Sequence, residues 1–351
     1  MRRLAVVLAV ALTPFAAGAQ GYAGLGAEVE EGYAEVVPGR DFVFLADHGA
    51  HPDFRIEWWY VTANLRGPDG TPYGLQWTLF RSALSPAEPE DDDGWTSPQF
   101  WMAHAAVTTP DAHRAAERFA RGGVGQAGVS TGPFAARLDD WRFASTGAAF
   151  SPLALSARSE GFAYDLELDA YAPPVLEGEG GYSVKSEKGQ ASYYYSMPFL
   201  DASGTIVVDG REIEVTGKAW LDREWSSQPL ADGQEGWDWF ALRLSRDTAL
   251  MLYRLRDAEG AYVTGNWLSA DGTSEALKPG RIEMAPLAET EVAGRSVPTA
   301  WSIAIPSKGL AIETEAVNPR AWMDVSFDYW EGPIRFDGSH EGVGYLEMTG
   351  Y

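Results

Sequence analysis

The residues best equipped for chemistry are carboxylates set among tryptophans. In Trp220-Leu-Asp-Arg-Glu-Trp225, Asp222 and Glu224 share one face of an alternating strand and lie between Trp220 and Trp225. A carboxyl in an aromatic pocket has its pKa raised and can act as a general acid near neutral pH. Asp238, between Trp237 and Trp239, is the third candidate. The competing reading is plain ion pairing, with Arg243 or Arg254 as the partner. The loop Asp47-His-Gly-Ala-His51-Pro-Asp53 has metal-ligating residue types, but histidines at i and i+3 in a turn lack the helical alignment of two imidazoles. These histidines are expected to hydrogen-bond backbone and pack on the next hairpin, and no metal is assigned. No serine stands out beside the five histidines, and Ser-x-x-Lys and His-Glu-x-x-His are absent. Serine and metal hydrolysis are therefore disfavoured.

These residues need strands to hold them. Phe54–Val61 and Tyr73–Arg81 are rich in aromatic and β-branched residues and flank Gly67-Pro-Asp-Gly70, which predicts a β-hairpin. A turn symmetric about Asp69 places Glu57 opposite Arg81 and Trp58 opposite Phe80, so Glu57–Arg81 is expected to be a structural ion pair. The hairpin also supplies Trp58, Tyr60 and Gln76 as candidate ligand contacts. His104 adds to them from the alternating strand Gln99–Val107. In Ala191-Ser-Tyr-Tyr-Tyr-Ser196, Tyr193 and Tyr195 fall on one face and Tyr194 on the other. The second half contributes Trp225, Trp237, Trp239 and Tyr253. Ala112–Ala120 is the one modest helical stretch; the rest is short strands and turns.

An echo links two hairpins. Trp58-Trp-Tyr60 leads to Leu79-Phe-Arg81, and Asp238-Trp-Phe240 leads to Leu252-Tyr-Arg254. The repeat predicts an all-β chain of two tandem antiparallel barrels, a form suited to an interior ligand cavity. The expected division is a leader over 1–19, an arm over 20–40, and barrels over 41–217 and 218–351. Met1-Arg-Arg3, the apolar run to Ala17 and the small residues to Ala19 fit a secretory signal peptide, which predicts a periplasmic or secreted protein.

Composition narrows the partners. The chain has 351 residues and a formal charge of −23, which argues against nucleic acid or an anionic membrane surface. No long apolar segment follows the leader, so stable membrane insertion is not expected. Tryptophan numbers 14 and aromatics reach 13%, the material of an apolar pocket. There are no cysteines, which excludes disulfides and thiolate sites. The glycines of Gly21–Gly26 do not follow a strand, so no dinucleotide loop is read, and the acidic run Asp91–Asp93 reads as solvated surface.

Several stretches carry a resemblance. They are Asp47–His51, Glu57–Tyr60, Gln76–Arg81, Trp101–His104, Gly180–Lys185, Ser192–Ser196, Trp220–Trp225, Gly236–Phe240, Tyr329–Gly332 and Gly344–Glu347. In these the chain resembles the secreted AttH and carotenoid 1,2-hydratase family, often labelled predicted secreted hydrolases. The resemblance covers residue 40 to the end. It implies two lipocalin-like barrels and a pocket for a hydrophobic, terpenoid- or polyketide-like molecule. It also implies cofactor-free chemistry, in which an alkene is protonated and water captures the cation, or a non-catalytic carrier associated with an ABC-type export permease. In the hydratase branch a His stands between the tryptophans matching Trp237 and Trp239, and an Asp follows the Tyr matching Tyr253. This chain has Asp238 and Arg254 there, which separates it from that specific chemistry.

Overall fold

A computed structural model describes residues 31–86, 96–228, 231, 233–258 and 260–351. The leader expected over 1–19 and the Asp91–Asp93 run lie outside the described residues. Among those residues there is no α-helix, only strands, turns and two short 3-10 segments. No helix among them is long and apolar enough to cross a membrane.

The first sheet opens with a meander of β1 (Ile56–Arg66), β2 (Pro72–Ala83), β3 (Gln99–Thr108) and β4 (His113–Arg121). Short strands follow: β5 (Ala127–Thr131), β6 (Phe134–Leu138), β7 (Trp141–Ser145), β8 (Leu153–Ser159) and β9 (Phe162–Ala170). It is completed by β10 (Val175–Leu176), β11 (Tyr182–Val184), β12 (Ala191–Val208) and β13 (Arg211–Ser226). The strand order is β4-β3-β2-β1-β13-β12-β9-β8-β7-β6-β5, and β4 comes back beside β6, so the sheet nearly closes. The second sheet begins with β14 (Gln234–Arg243), β15 (Thr248–Asp257), β16 (Gly260–Ser269), β17 (Ser274–Leu277) and β18 (Glu283–Val292). It ends with β19 (Arg295–Ile305), β20 (Leu310–Ala316), β21 (Trp322–Met323), β22 (Tyr329–Gly338) and β23 (Gly342–Met348). Its order is β17-β16-β15-β14-β23-β22-β20-β19-β18. The chain is thus all-β with two lipocalin-like antiparallel sheets.

Local chemistry explains the hairpins. Gly70 sits at φ +82° in the first turn, and Asp69 Oδ1 accepts the Thr71 amide at 3.0 Å, so Pro68-Asp-Gly70 fixes the reversal. The register pairs Glu57 with Arg81 and Trp58 with Phe80. The second hairpin aligns Asp238 with Arg254 and Trp239 with Tyr253, so the echo is also an echo of register.

Two expectations are corrected. Residues 112–120 are mostly β4 rather than helix: the helix-forming residues of His-Arg-Ala-Ala-Glu-Arg-Phe-Ala-Arg pair along β3, and the ladder overrides local propensity. The break expected between Gly217 and Lys218 falls inside β13, which pairs with β1 and β12 throughout. The passage between sheets comes after Ser226 and before Gln234.

Burial shows where the sheets meet. On β9 and β20 buried and exposed residues alternate, as expected of a wall with one face in the core and one in water. On β1, β2, β14 and β23 most residues are buried, in consecutive runs that cover both faces. Their inward residues join the two barrel interiors, where Trp59, Trp77, Trp141 and Trp225 pack in one and Trp301 and Trp330 in the other. Their outward residues, among them Tyr60, Trp237, Trp239 and Tyr345, join Trp220 of β13 in a separate cluster between the sheets. At Gly74 any Cβ would overlap Pro333, so the close approach of β2 to β22 requires glycine.

Candidate functional site at the interface of the two sheets

The pocket lies between the sheets. Strand alternation sends Trp220, Asp222 and Glu224 outward from β13 and buries Leu221, Arg223 and Trp225 inside the first barrel. The cavity they help to line holds about 100 Å³ and is walled by Trp58, Tyr60, Phe80, Tyr194, Trp237, Trp239 and Tyr253. Its polar lining is Asp222, Glu224, Lys185, Ser192 and Glu347, with Gln190, Gln228 and Gln234. A larger groove, about 1080 Å³, opens elsewhere along the interface among Arg66, Lys218, Glu313 and Arg335. It has none of the buried carboxylates.

The three candidate acids differ. Asp222 is fully enclosed and has no cation bound to it. Its Oδ1 accepts the Trp220 indole and the Ser196 hydroxyl at 2.6 Å each, and its Oδ2 accepts the Tyr194 hydroxyl at 2.5 Å. Burial pushes its pKa up to about 7, against the pull of those three donors. Glu224 also lines the cavity, but Lys185 Nζ sits 2.7 Å from it and the Ser192 hydroxyl donates to it. Asp238 does not reach the cavity. Trp237 and Trp239 face the cavity, so the residue between them must point the other way. Asp238 accepts Arg254 at 2.6 Å and the Tyr351 hydroxyl at 2.7 Å, which removes it from the catalytic candidates.

The aromatic candidates divide in the same way. Trp58, Tyr60, Trp237, Trp239 and Tyr253 line the cavity. Tyr193, Tyr195 and Trp225 do not, because their strand parity turns them into the first barrel, where all three pack in one core. Tyr194, from the opposite face, is the tyrosine that lines the pocket. Gln76 is buried on the outward face, bonded to Thr78. His104 lies two strands from Tyr60, and its Nδ1 meets the Tyr329 hydroxyl at 3.0 Å.

Glu57 occupies the inward face. Arg81 and Arg223 both clamp it, and the His51 amide donates to it at 2.9 Å. Burial alone would raise its pKa, but the two guanidiniums hold the carboxyl well below its ordinary range. The loop histidines part company. His48 meets the Tyr195 hydroxyl at 2.6 Å and stacks on Phe150, whereas His51 stacks on Trp225 between Asp47 and Glu57. No cluster of three metal-ligating side chains forms among the described residues. A Gly-x-Ser-x-Gly spacing does occur at Gly128–Gly132, but on β5 rather than at a strand-to-helix turn. There the exposed Ser130 hydroxyl donates to the Pro133 carbonyl at 3.1 Å.

Sequence reasoning passed over Glu177, Glu331 and Glu347. Glu177 Oε1 lies 2.7 Å from the Ser196 hydroxyl, Glu331 Oε1 lies 2.5 Å from the Tyr60 hydroxyl, and Glu347 accepts the Trp237 indole at 2.7 Å. The available signal was the Tyr329–Gly332 and Gly344–Glu347 stretches, each an acid beside aromatics.

Two lipocalin-like sheets joined by their outer faces, with an acid-bearing aromatic cavity at the join, define the class of protein. The chain belongs to the AttH-like family, whose profile matches residues 35–351. Among solved structures it is similar to a putative AttH from Nitrosomonas europaea, at 34% identity and a TM-score of 0.80. That match covers 91% of this chain and 99% of the other. Kievitone hydratase from Nectria haematococca shares the fold at 15% identity and a TM-score of 0.66, covering 88% of this chain and 92% of the other. CghA, solved with Sch210972, does so at 13% identity and a TM-score of 0.52, covering 85% and 89%. A comparison with curated protein sequences finds no match.

Proposed function

We propose that this AttH-like chain is an exported protein that holds a hydrophobic, ring-containing small molecule in the inter-sheet cavity. In this reading Asp222 supplies the proton for a cofactor-free hydration or isomerisation. The observation that carries it is a buried carboxyl at the cavity wall with no cation to neutralise it and a pKa of about 7. Such a group is half protonated near neutrality and suited to general acid catalysis. Delivery runs through Tyr194. Its hydroxyl accepts the Trp239 indole at 3.2 Å and lies against Asp222. When Asp222 is protonated it donates to Tyr194, which frees the tyrosine O–H to point into the cavity. The aromatic walls stabilise the cation that protonation creates. A cavity of about 100 Å³ fits a single ring, so a terpenoid- or polyketide-like ligand requires the walls to part.

Kievitone hydratase is by its name a hydratase; at 15% identity the fold is what it shares with this chain. The second reading is a carrier, which two neutralised acids favour: Glu224 beside Lys185 and Asp238 beside Arg254. An export permease as its partner belongs to that second reading.

Mass spectrometry of extracts from the purified native protein identifies the bound molecule, which is then incubated with protein in D2O. Wild type is expected to add carbon-bound deuterium, with the mass of water as well if it hydrates. Asp222→Asn is expected to retain the ligand without the mass change. A ligand that binds both proteins and is altered by neither supports the carrier and ends the catalytic reading.

A further inference from the structure

Tyr60 is the second cavity tyrosine backed by a buried carboxylate, and that carboxylate, Glu331, has no part in the reading above. The register sets one outward-facing polar row across the first sheet. It runs Ser196 (β12), Asp222 (β13), Tyr60 (β1), Thr78 (β2), His104 (β3) and Glu117 (β4). Cross-strand neighbours in such a row have Cβ atoms about 4.5–5.5 Å apart. The row begins at the cavity and ends on the edge strand, where the Glu117 side chain is 24% exposed. Burying polar groups is costly unless they are bonded, so a polar row where apolar residues would seal the interface calls for a use.

The second sheet connects the row. The Tyr60 hydroxyl lies 2.5 Å from Glu331 Oε1. Tyr329, two residues before Glu331 on the same strand face, hydrogen-bonds that carboxyl and meets His104 Nδ1 at 3.0 Å. Glu117 Oε2 stands 4.0 Å from His104 Nε2, and a movement of about 1 Å brings it into hydrogen-bond range. His104 Nε2 is buried without a hydrogen-bond partner, as the entry atom of a path requires. Burial, reinforced by Glu347 opposite on β23, pushes the Glu331 carboxyl well above its ordinary range and so favours the protonated form, the one that can donate to Tyr60.

We propose that Glu117, His104, Tyr329 and Glu331 form a proton path that resupplies Tyr60 from the edge of the first sheet. The proposal rests on the reading of the cavity as a proton-transfer site and adds the source of the proton. Tyr60 gives its hydroxyl proton to the cavity and takes the carboxyl proton of Glu331. Glu331 takes the Tyr329 hydroxyl proton, Tyr329 takes the Nδ1 proton of His104, and a proton from Glu117 enters at Nε2. One proton enters for each one delivered, and only O–H and N–H bonds break and form. The path resets as the hydroxyl and imidazole groups reorient. These four are positioning residues; of the five groups on the path, Tyr60 alone faces the cavity.

The test times the exchange with water of the Tyr329 hydroxyl proton by NMR on the full chain. Tyr60→Phe closes the cavity side, so in that variant the edge is the remaining route. On this background Glu117→Gln is expected to slow exchange by about tenfold, equivalent to ~1.4 kcal/mol of barrier. Glu117→Asp is expected to restore it. Glu117 lies on an edge strand, so these variants are expected to fold, and near-UV circular dichroism checks that they do. Exchange that is unchanged by Glu117→Gln overturns the path. Failure of the Asp222 reading shows separately, as a ligand that takes up no deuterium, and leaves this exchange rate where it was.

Discussion

Glu57 and Asp222 sit on adjacent strands of one sheet, both out of reach of water, and their environments are opposite. Glu57 faces the barrel interior, where Arg81 and Arg223 clamp it and Arg223 is itself stacked 3.8 Å from the Trp59 ring centroid. Asp222 faces the second sheet and receives three neutral donors and no cation. Desolvation is the largest influence on each, yet one carboxyl is driven well below its ordinary range and the other up to about 7. Burial does not decide what a carboxylate does; the charge beside it does. The first acid holds the fold together, and the second can exchange a proton.

The largest expected effect breaks the structural member of the pair. Glu57→Gln leaves two buried guanidiniums without their counter-charge, so urea unfolding is expected to show a loss of ~3–5 kcal/mol. Asp222→Asn keeps a hydrogen-bonding side chain of the same shape and is expected to change stability by ~1 kcal/mol or less near neutral pH. Equal losses in the two variants would end the contrast.

Next in size is the pH dependence, and its sign differs between the two acids. The pKa of Glu57 is depressed on folding. Its contribution is complete above the unfolded value near 4.5 and is lost as pH falls through the folded one. The pKa of Asp222 rises from 3.8 to about 7, so its contribution is complete below 3.8 and is lost as pH rises through about 7. Relative to Asp222→Asn, wild type should therefore lose stability between pH 3.8 and about 7 and run parallel above that. Parallel curves over that whole window would show that Asp222 is already ionised.

How much of this could be read from the chain depends on which face a strand buries. Alternation located most strands, and Pro68-Asp-Gly70 fixed the register that opposes Glu57 to Arg81. It also separated Tyr194 from Tyr193 and Tyr195. It could not say which side faces the barrel and which the cavity, since both faces of β12 and β13 are buried there. Period-2 reasoning applied to Trp237-Asp-Trp239 would have excluded Asp238 once the tryptophans were placed in the pocket. Glu347 lines the pocket and Glu331 backs it through Tyr60, both from strands near the end of the chain, and their pairing with Trp237 and Tyr60 spans more than any local pattern reports. The break expected at 217/218 falls on Gly217, which lies within a continuous strand. Its place in β13 follows from the close approach of the Asn64 carbonyl, which leaves no room for a side chain.

The smallest effect tests Glu224, which stands between the two extremes. Like Asp222 it lines the cavity, and like Glu57 it has a cation, Lys185, at 2.7 Å. That ammonium also lies 4.4 Å from the Tyr194 ring centroid and 5.2 Å from that of Tyr253, so it braces the aromatic wall as well as the acid. Both side chains keep some contact with solvent, so the pair is worth less than a buried one. Lys185→Met is expected to cost ~1 kcal/mol or less in urea unfolding. With its cation gone and Ser192 as the remaining donor, Glu224 should come to resemble Asp222. Lys185→Met should then show a further loss of stability with rising pH that Lys185→Met/Glu224→Gln does not show. If the two variants follow the same pH curve, Lys185 is not what sets Glu224 apart from Asp222, and the rule drawn from Glu57 and Asp222 does not extend across the cavity wall.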